Sequence, residues 1–459
     1  AGSSLWRIFI SFLLQILITR ILGVAEFGQY VSALAFLNVS QVVSELGLPS
    51  MLVRDLAQQP GRRRNYFFLS LRVQLLSSMT TWAGLVLLAW LLPVSPMTRA
   101  ALMLVGASLP FYAITSSSQT LFRASERMEL VMGVEGIINS LILGLSLWIL
   151  WRGGGVQPLI GVLVLTQAIS ASLSLILLWR TRLLAGAQDD TPLRWQQIWQ
   201  AARPFYWLSL ADVLLHRLDI LLLNVLAGDF VTGVYSIAYS VVRVLVKLIQ
   251  SYWQALYPTL SRLFHATADQ YQRLSSLSLR YGLMLVLPAT AVGFGIAPEL
   301  LQLLYGNESV NSVIVFQILV WSAPIYLVEM YAVTQLMATG HPRSSLQITW
   351  VHIAGLLVLL PLLTLWLGAT GAAVALIIAG LVGAIWGRIK LHRFAITWHV
   401  HRAWALLAAT MVVALLAALL PLVWPIRALI GGVVYLAIIW LAGVVEADDR
   451  RLALAMFGR

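Results

Sequence analysis

Arg243 and Lys247 stand four residues apart inside a long apolar run. With Ser236, Tyr239, Ser240, Gln250 and Gln254 they recur at three- or four-residue steps. At about 100° per residue these side chains form one polar stripe along a helix. Like charges one turn apart repel by a few tenths of a kcal/mol even on an exposed helix. A cation at mid-membrane costs on the order of 2.5–3.5 kcal/mol on insertion scales. The pair therefore makes sense where an anion visits between the cations, or where both meet carboxylates of neighbouring helices.

Upstream, Asp212, His216 and Asp219 share a helix face at i, i+4 and i+7, with Arg217 about 100° away. They could titrate as a proton or cation coupling site, or they could neutralise Arg217, Arg243 and Lys247. In the first half of the chain, Asn38, Gln41 and Glu45 line one face ahead of Arg54, and Ser108, Tyr112, Thr115 and Gln119 line another ahead of Arg123. Hydroxyls and amides both donate and accept hydrogen bonds, which suits sugar hydroxyls as well as contacts between packed helices. Arg20 and Arg54 lie at segment ends, where a long side chain can reach the interface. Glu329, with Ser322 and Tyr326 on a similar face, is a reserve candidate for coupling, and His352 reads as an isolated interhelical polar group. One helix supplies too few ligands for a metal site. With no cysteine there are no thiolate sites, disulfides or cysteine nucleophiles, and without a nucleotide-binding loop direct ATP hydrolysis is excluded.

The elements that must position these residues follow from composition. Of 459 residues, 60% are hydrophobic and only 10% charged, with a mean hydropathy of +0.87. A soluble domain carries about a quarter charged residues, so this composition excludes one. Cations exceed anions by 12, but they punctuate apolar runs rather than cluster on a polar face, which argues against a nucleic-acid partner and for membrane topology. The chain starts Ala1-Gly2-Ser3-Ser4 and passes directly into an apolar segment, so no cleavable signal peptide is expected and the start reads as processed or trimmed. At about 20 apolar residues per crossing, spans are expected at roughly 5–22, 28–48, 66–92, 100–122, 130–150, 156–179, 198–223, 231–256, 277–296, 310–336, 346–367, 371–389, 403–423 and 428–445. With the N-terminus in the cytoplasm, 21 of the 30 Lys and Arg fall on cytoplasmic loops and ends and four on outer ones. That bias places both termini in the cytoplasm. Arg62–Arg64 and the region 388–402 read as topology determinants and anionic-lipid contacts, and Trp195–Trp199 with Arg194 as an interfacial segment. The loops leave no room for a globular catalytic domain, which weighs against a membrane glycosyltransferase, polymerase or ligase.

An internal repeat adds a second level of order. Glu26-Phe27-Gly28-Gln29-Tyr30 follows the first span, and Asp229-Phe230-Val231-Thr232-Gly233-Val234-Tyr235 follows the seventh. Both following helices close on an arginine, Arg54 and Arg262, at offsets of 205 to 208 residues. Six spans separate the copies, so both halves share one orientation, the arrangement of parallel repeats with a substrate site between two bundles.

Arg20-Ile21-Leu22-Gly23, Phe27-Gly28-x-Tyr30, Glu45-Leu46-Gly47-Leu48 and Val53-Arg54 resemble the opening of Wzx-type polysaccharide flippases of the multidrug/oligosaccharidyl-lipid/polysaccharide exporter superfamily. Arg123-Ala124-Ser125-Glu126-Arg127, Arg217-x-Asp219, Gly233-x-Tyr235-Ser236-x-Ala238, Leu304-Tyr305-Gly306, Ala338-x-Gly340-x-Pro342-Arg343 and Leu367-Gly368-Ala369-x-Gly371-Ala372 extend the resemblance to the twelfth span. It implies an all-α polytopic membrane protein of about 14 helices, with two pseudo-symmetric six-helix bundles around a central cavity and two C-terminal helices. The lobes are expected at 1–190 and 191–395, with the extra helices at 396–459. The implied activity is movement of a polyprenyl-pyrophosphate-linked glycan across the bacterial inner membrane, without enzymatic chemistry or a bound cofactor, coupled to H+ or Na+. Matching arginines, Arg20 and Arg54, are implied to face the cavity. Arg217, Arg243, Lys247, Gln250 and Gln119 complete the expected substrate site, and Asp212, His216, Asp219, Glu45 and Glu329 the expected coupling site. Membrane lipids and glycan-assembly proteins are the other expected partners. A cation-coupled multidrug antiporter and a lipid II flippase of the same fold are the rival readings.

Overall fold

In lipid every backbone amide must find its partner inside the protein, and a helix does this within one segment. The computed structural model describes residues 2–58, 60–185, 195–266, 268–394, 396 and 402–444, and among these there are helices and turns but no strand. The first unit holds α1 (Gly2–Leu22), α2 (Val24–Glu45), α3 (Leu48–Gln58), α4 (Arg63–Leu91), α5 (Pro96–Gly106), α6 (Leu109–Ala124), α7 (Met128–Trp151) and α8 (Val156–Arg180). There follow α9 (Trp195–Ala266), α10 (Ala268–Gly295), α11 (Ala297–Tyr305), α12 (Val313–Leu319), α13 (Ser322–Ala338), α14 (Pro342–Arg393), α15 (Ala403–Leu419) and α16 (Trp424–Leu441). Arg194, His399, His401 and the residues from 445 onward lie outside the described residues.

The 72 residues of α9 would stretch roughly 110 Å at 1.5 Å per residue, far beyond one bilayer. The helix is in fact divided at Gly228, whose φ of 79° and ψ of −175° are not helical and suit glycine best. Gly368 divides α14 in the same way. Eight helices are long and apolar enough to cross a membrane, or ten when two bent pairs each count as one span. Reading α9 and α14 as two spans each, and adding the shorter apolar helices Ile10–Leu22 and Ala403–Leu419, gives fourteen crossings among the described residues. The protein is a multi-pass, all-helical membrane protein.

Three spans differ from the sequence expectation. The second begins at Val24 rather than near residue 28 and bends by 46° where Leu46 takes a left-handed conformation (φ 52°) before α3. The fourth is broken between α5 and α6, with Pro110 in the first turn after the break. The tenth reaches back to Ala297 through α11, the 3-10 turn Gly306–Ser312 and α12, and bends by 40° at α13. Its polar stretch Gly306-Asn307-Glu308 hides this half-span from a hydropathy reading.

The chain forms two compact units, Ala1–Ser236 and Ile237–Arg459, with the boundary inside α9. In the first unit α6 packs against α4 and α8, and α2 against α4 and α5. Met51 and Leu56 of α3, Phe67 of α4 and Phe122 of α6 meet Ile198 of α9 in a buried cluster. In the second unit α13 lies along α14 and α10 packs against α15 and α16. Buried Arg427 of α16 bonds Glu299 of α11 and the carbonyl of Ala417 on α15, tying the last two helices to their neighbours. Leu429, Val433, Leu436 and Trp440 of α16 remain exposed at three- and four-residue steps, as a lipid-facing stripe requires.

The repeat appears in the first unit as a reciprocal crossing. A methyl group on Gly28 would overlap the carbonyl of Asp229, and one on Gly233 would overlap the carbonyl of Val24. Gly28 and Gly233, like Val24 and Asp229, are 205 residues apart, so within the first unit the two contacts exchange equivalent positions of the repeat.

Candidate functional site

In the first unit, Glu45 ends α2 and reaches α6. Its Oε1 accepts hydrogen bonds from Tyr112 Oη and Ser116 Oγ, both at 2.7 Å. Two turns beyond Ser116 on α6, Arg123 donates to Gln119 at 3.3 Å and lies 3.8 Å from Glu135 of α7. Gln167 of α8 donates to Thr115, and Gln74 of α4 to Ser70, which meets Ser117 at 3.4 Å. The polar face expected on α6 is thus part of a layer shared by α2, α4 and α8. Ser116 and Gln167 escaped the sequence reading because their partners lie on other helices.

Arg54 is exposed on α3, paired with Asp55 at 2.8 Å and placed 5.3 Å above the Phe205 ring of α9. Arg20 is exposed in the last turn of α1, where a cation favours the carbonyl end of the helix. On α9, His216 Nδ1 lies 2.8 Å from the Asp212 carbonyl and 3.9 Å from its carboxylate. Asp219 is 1% exposed and accepts the Tyr235 hydroxyl at 2.7 Å. Arg217 is half-buried on the same helix.

Asp229 belongs to the repeat, and periodicity along one helix does not signal the partners that it gathers. Just past the Gly228 break, its Oδ1 accepts from Thr98 Oγ1 at 2.7 Å and Asn224 Nδ2 at 2.8 Å. Its Oδ2 accepts from Ser95 Oγ at 2.7 Å and Gln29 Nε2 at 3.1 Å. One carboxylate thus joins α2, the start of α5 and both halves of α9.

In the second unit the stripe on α9 changes character along its length. Ser240 is buried and meets Tyr305 of α11 at 2.5 Å. Arg243 lies 5.3 Å over the Tyr239 ring, its Nε–H is buried without an acceptor, and no carboxylate among the described residues pairs with it. Lys247 is exposed and donates to Gln250 at 2.8 Å, and Gln250 donates to Tyr326 of α13 at 2.9 Å. Of the expected substrate residues, Arg243, Lys247 and Gln250 therefore share one stripe with aromatic and amide neighbours, a surface that can bind an anion and hydrogen-bond its substituents.

Glu329 of α13 and His352 of α14 meet in the interior, with Nδ1 2.9 and 3.0 Å from the two carboxylate oxygens. His352 is therefore not the isolated polar group expected from the sequence. The pairing joins residues 23 apart on separate helices, a separation that periodicity along one helix cannot signal.

Residues 17–314 match the family described as polysaccharide biosynthesis protein. The chain belongs to that family. No curated protein matches it in sequence. Among solved structures, it resembles the lipid II flippase MurJ in an inward closed conformation, with a TM-score of 0.77 at 13% identity over 95% of this chain and 96% of that one. It also resembles an inward-facing multidrug resistance MATE family transporter of the MOP superfamily, with a TM-score of 0.70 at 15% identity over 85% of this chain and 96% of that one. A MOP superfamily transporter from Pyrococcus furiosus, described by the reverse polarity of its binding pocket, gives a TM-score of 0.56 at 15% identity over 85% and 93%. At these identities the likeness establishes the fold alone, an all-helical arrangement shared with these transporters.

Proposed function

We propose that this protein is a Wzx-type flippase that carries a polyprenyl-pyrophosphate-linked oligosaccharide from the cytoplasmic to the outer leaflet of a bacterial inner membrane by alternating access. Membership of a polysaccharide biosynthesis family and the transporter fold support a lipid-linked substrate moved without enzymatic chemistry. The observation that carries the reading is Arg243, a cation in the body of a span with a buried, unused donor and no carboxylate partner among the described residues. Such a group costs on the order of 2.5–3.5 kcal/mol in a membrane, and a visiting diphosphate offsets that cost because a guanidinium bonds phosphate oxygens in pairs. Lys247 and Gln250 extend this surface within the second unit, and Arg20, Arg54, Gln119 and Arg217 are the substrate contacts proposed within the first.

The glycan meets hydroxyls and amides while the polyprenyl tail stays in lipid. The moving lobes are proposed at 1–190 and 191–395, with 396–459 as the added pair, a division that differs from the compact units, whose boundary lies inside α9 after Ser236, and both termini are proposed to face the cytoplasm. Coupling to H+ or Na+ is assigned to a group drawn from Asp212, His216, Asp219, Glu45 and Glu329, and proteins of glycan assembly are its partners. A multidrug antiporter is disfavoured because a cation-accepting site would place acid, not Arg243 and Lys247, on the α9 stripe.

The test replaces Arg243 and Lys247 together with Gln and measures surface glycan in a strain lacking its own flippase. Display should fall at least tenfold at normal protein level, a loss of about 1.4 kcal/mol or more. Full display by the double variant would overturn the cationic-site reading. Rescue of a strain lacking its lipid II flippase, without rescue of glycan display, would transfer the function to lipid II.

A further inference from the structure

The interior of the second unit holds an ionisable pair that the anion site does not use. Glu329 is 2% and His352 5% exposed. Both lie about ten residues from the turn joining α13 to α14, roughly 15 Å along each helix at 1.5 Å per residue, close to the middle of a hydrocarbon layer about 30 Å thick. The pair is held on three sides. His352 Nδ1 faces both carboxylate oxygens, a methyl on Gly383 would sit 2.8 Å from Glu329 Oε1, and one on Gly380 would sit 3.6 Å from His352 Cε1. The second half of α14 thus offers two bare backbone surfaces that close over the pair.

The bonding leaves one position open. An ionised carboxylate only accepts hydrogen bonds, so the ring nitrogen facing it carries a hydrogen. His352 Nε2 is then the basic atom, and it is buried without a partner among the described residues. A proton there would convert a singly negative pair into a neutral imidazolium–carboxylate pair, and an interior of low dielectric holds a neutral pair at less cost than a net charge. Other ionisable groups do not substitute for that proton. On α13, Tyr326 takes the amide of Gln250 and Tyr331 meets Ser275. On α14, Arg343 precedes His352 by nine residues, and Arg388 and Lys390 lie beyond Gly383 towards the helix end. Arg273 and Arg280 on α10 are the cations of the helix packed against α13. The second half of α9, which reaches α13 through Trp253 and Tyr331, brings Arg243, Lys247 and Arg262. The short α12 has no ionisable residue. None of these forms an ion pair with Glu329 or His352 among the described residues.

We infer that Glu329 and His352 together form a proton-binding site in the second unit, the proton entering at His352 Nε2 and leaving from the same atom. The use of that proton to drive transport rests on the flippase reading above, but its binding does not.

The two can be tested apart. Full-length protein labelled with 15N-histidine is placed in lipid nanodiscs and followed by NMR across the range in which histidine titrates, about pH 5 to 8. The resonance missing from His352→Gln should respond to pH, and Glu329→Gln should alter that response. Gly383→Ala, which presses on the carboxylate without removing either group, should alter it too. A His352 resonance that keeps one protonation state throughout, with no change in Glu329→Gln or Gly383→Ala, overturns the proton site. In the strain assay, Glu329→Gln should lose the pH dependence of glycan display at normal protein level. A clear NMR response with no display by the parent protein would sink the flippase reading and leave the proton site standing.

Discussion

Asp229 gathers more side-chain donors than any carboxylate proposed for substrate or coupling, and it does so where α9 breaks. Asp229→Ala leaves Gln29, Ser95, Thr98 and Asn224 without their acceptor. A donor stripped of its partner costs about 1–3 kcal/mol when buried, and partial access of water here trims that cost. The melting temperature in detergent should fall clearly for Asp229→Ala and less for Asp229→Asn, which keeps one acceptor oxygen. Equal melting of both variants and the parent would show that the network holds nothing. Asp219 presents the contrasting case. Its Oδ2 takes the Tyr235 hydroxyl and its Oδ1 the Ile220 N–H, and transport by Asp219→Asn that is unchanged at every pH would remove this residue from the proposed coupling group. A flattened pH profile in that variant would move proton coupling from Glu329 to Asp219. Arg243 could be named from its spacing with Lys247, but the absence of a carboxylate partner depends on residues far away in sequence.

At the level of the element, the crossing of α2 with the second half of α9 depends on two glycines. Gly28→Ala or Gly233→Ala would drive a methyl into carbonyl oxygens. Overpacking of a tight contact costs about 1–3 kcal/mol, and here the opposing atoms belong to the backbone and cannot rotate aside. Gly133→Ala and Gly136→Ala on α7 are the controls, because a Cβ at either meets no atom within 4 Å and alanine favours a helix by up to about 1 kcal/mol. The first pair should melt earlier than the parent and the second pair no earlier. The repeat was legible because glycine is needed twice for the same steric reason. The bends at Leu46 and at the α12–α13 junction were not, since hydropathy averages over a kink and a left-handed leucine has no composition signal.

For the whole molecule, the lack of cysteine makes topology directly measurable. Single cysteines at Gly154, between α7 and α8, and at Glu126, between α6 and α7, should differ in access to a membrane-impermeant thiol reagent. Gly154→Cys should react in intact cells and Glu126→Cys only after permeabilisation. The reverse pattern would invert the orientation drawn from arginine placement. A second test concerns the final helices. Arg427→Ala removes both the bond to Glu299 and the bond to the Ala417 carbonyl, so limited proteolysis should cut the α15–α16 region sooner than in the parent.

The sequence alone determined the helical class and the fourteen crossings, because lipid forces every apolar segment into a helix, and its repeated motifs at near-equal offsets suggested two matched halves. It also marked the cations of α9, since mid-span charge is visible without any partner. Tertiary structure decided which polar groups meet. It joined Glu45 to Tyr112 and Ser116, surrounded Asp229 with four donors, left the Arg243 Nε–H without an acceptor and set His352 against Glu329. These outcomes depend on how helices are rotated and stacked on one another, and a one-dimensional period fixes which residues share a face but not what that face touches.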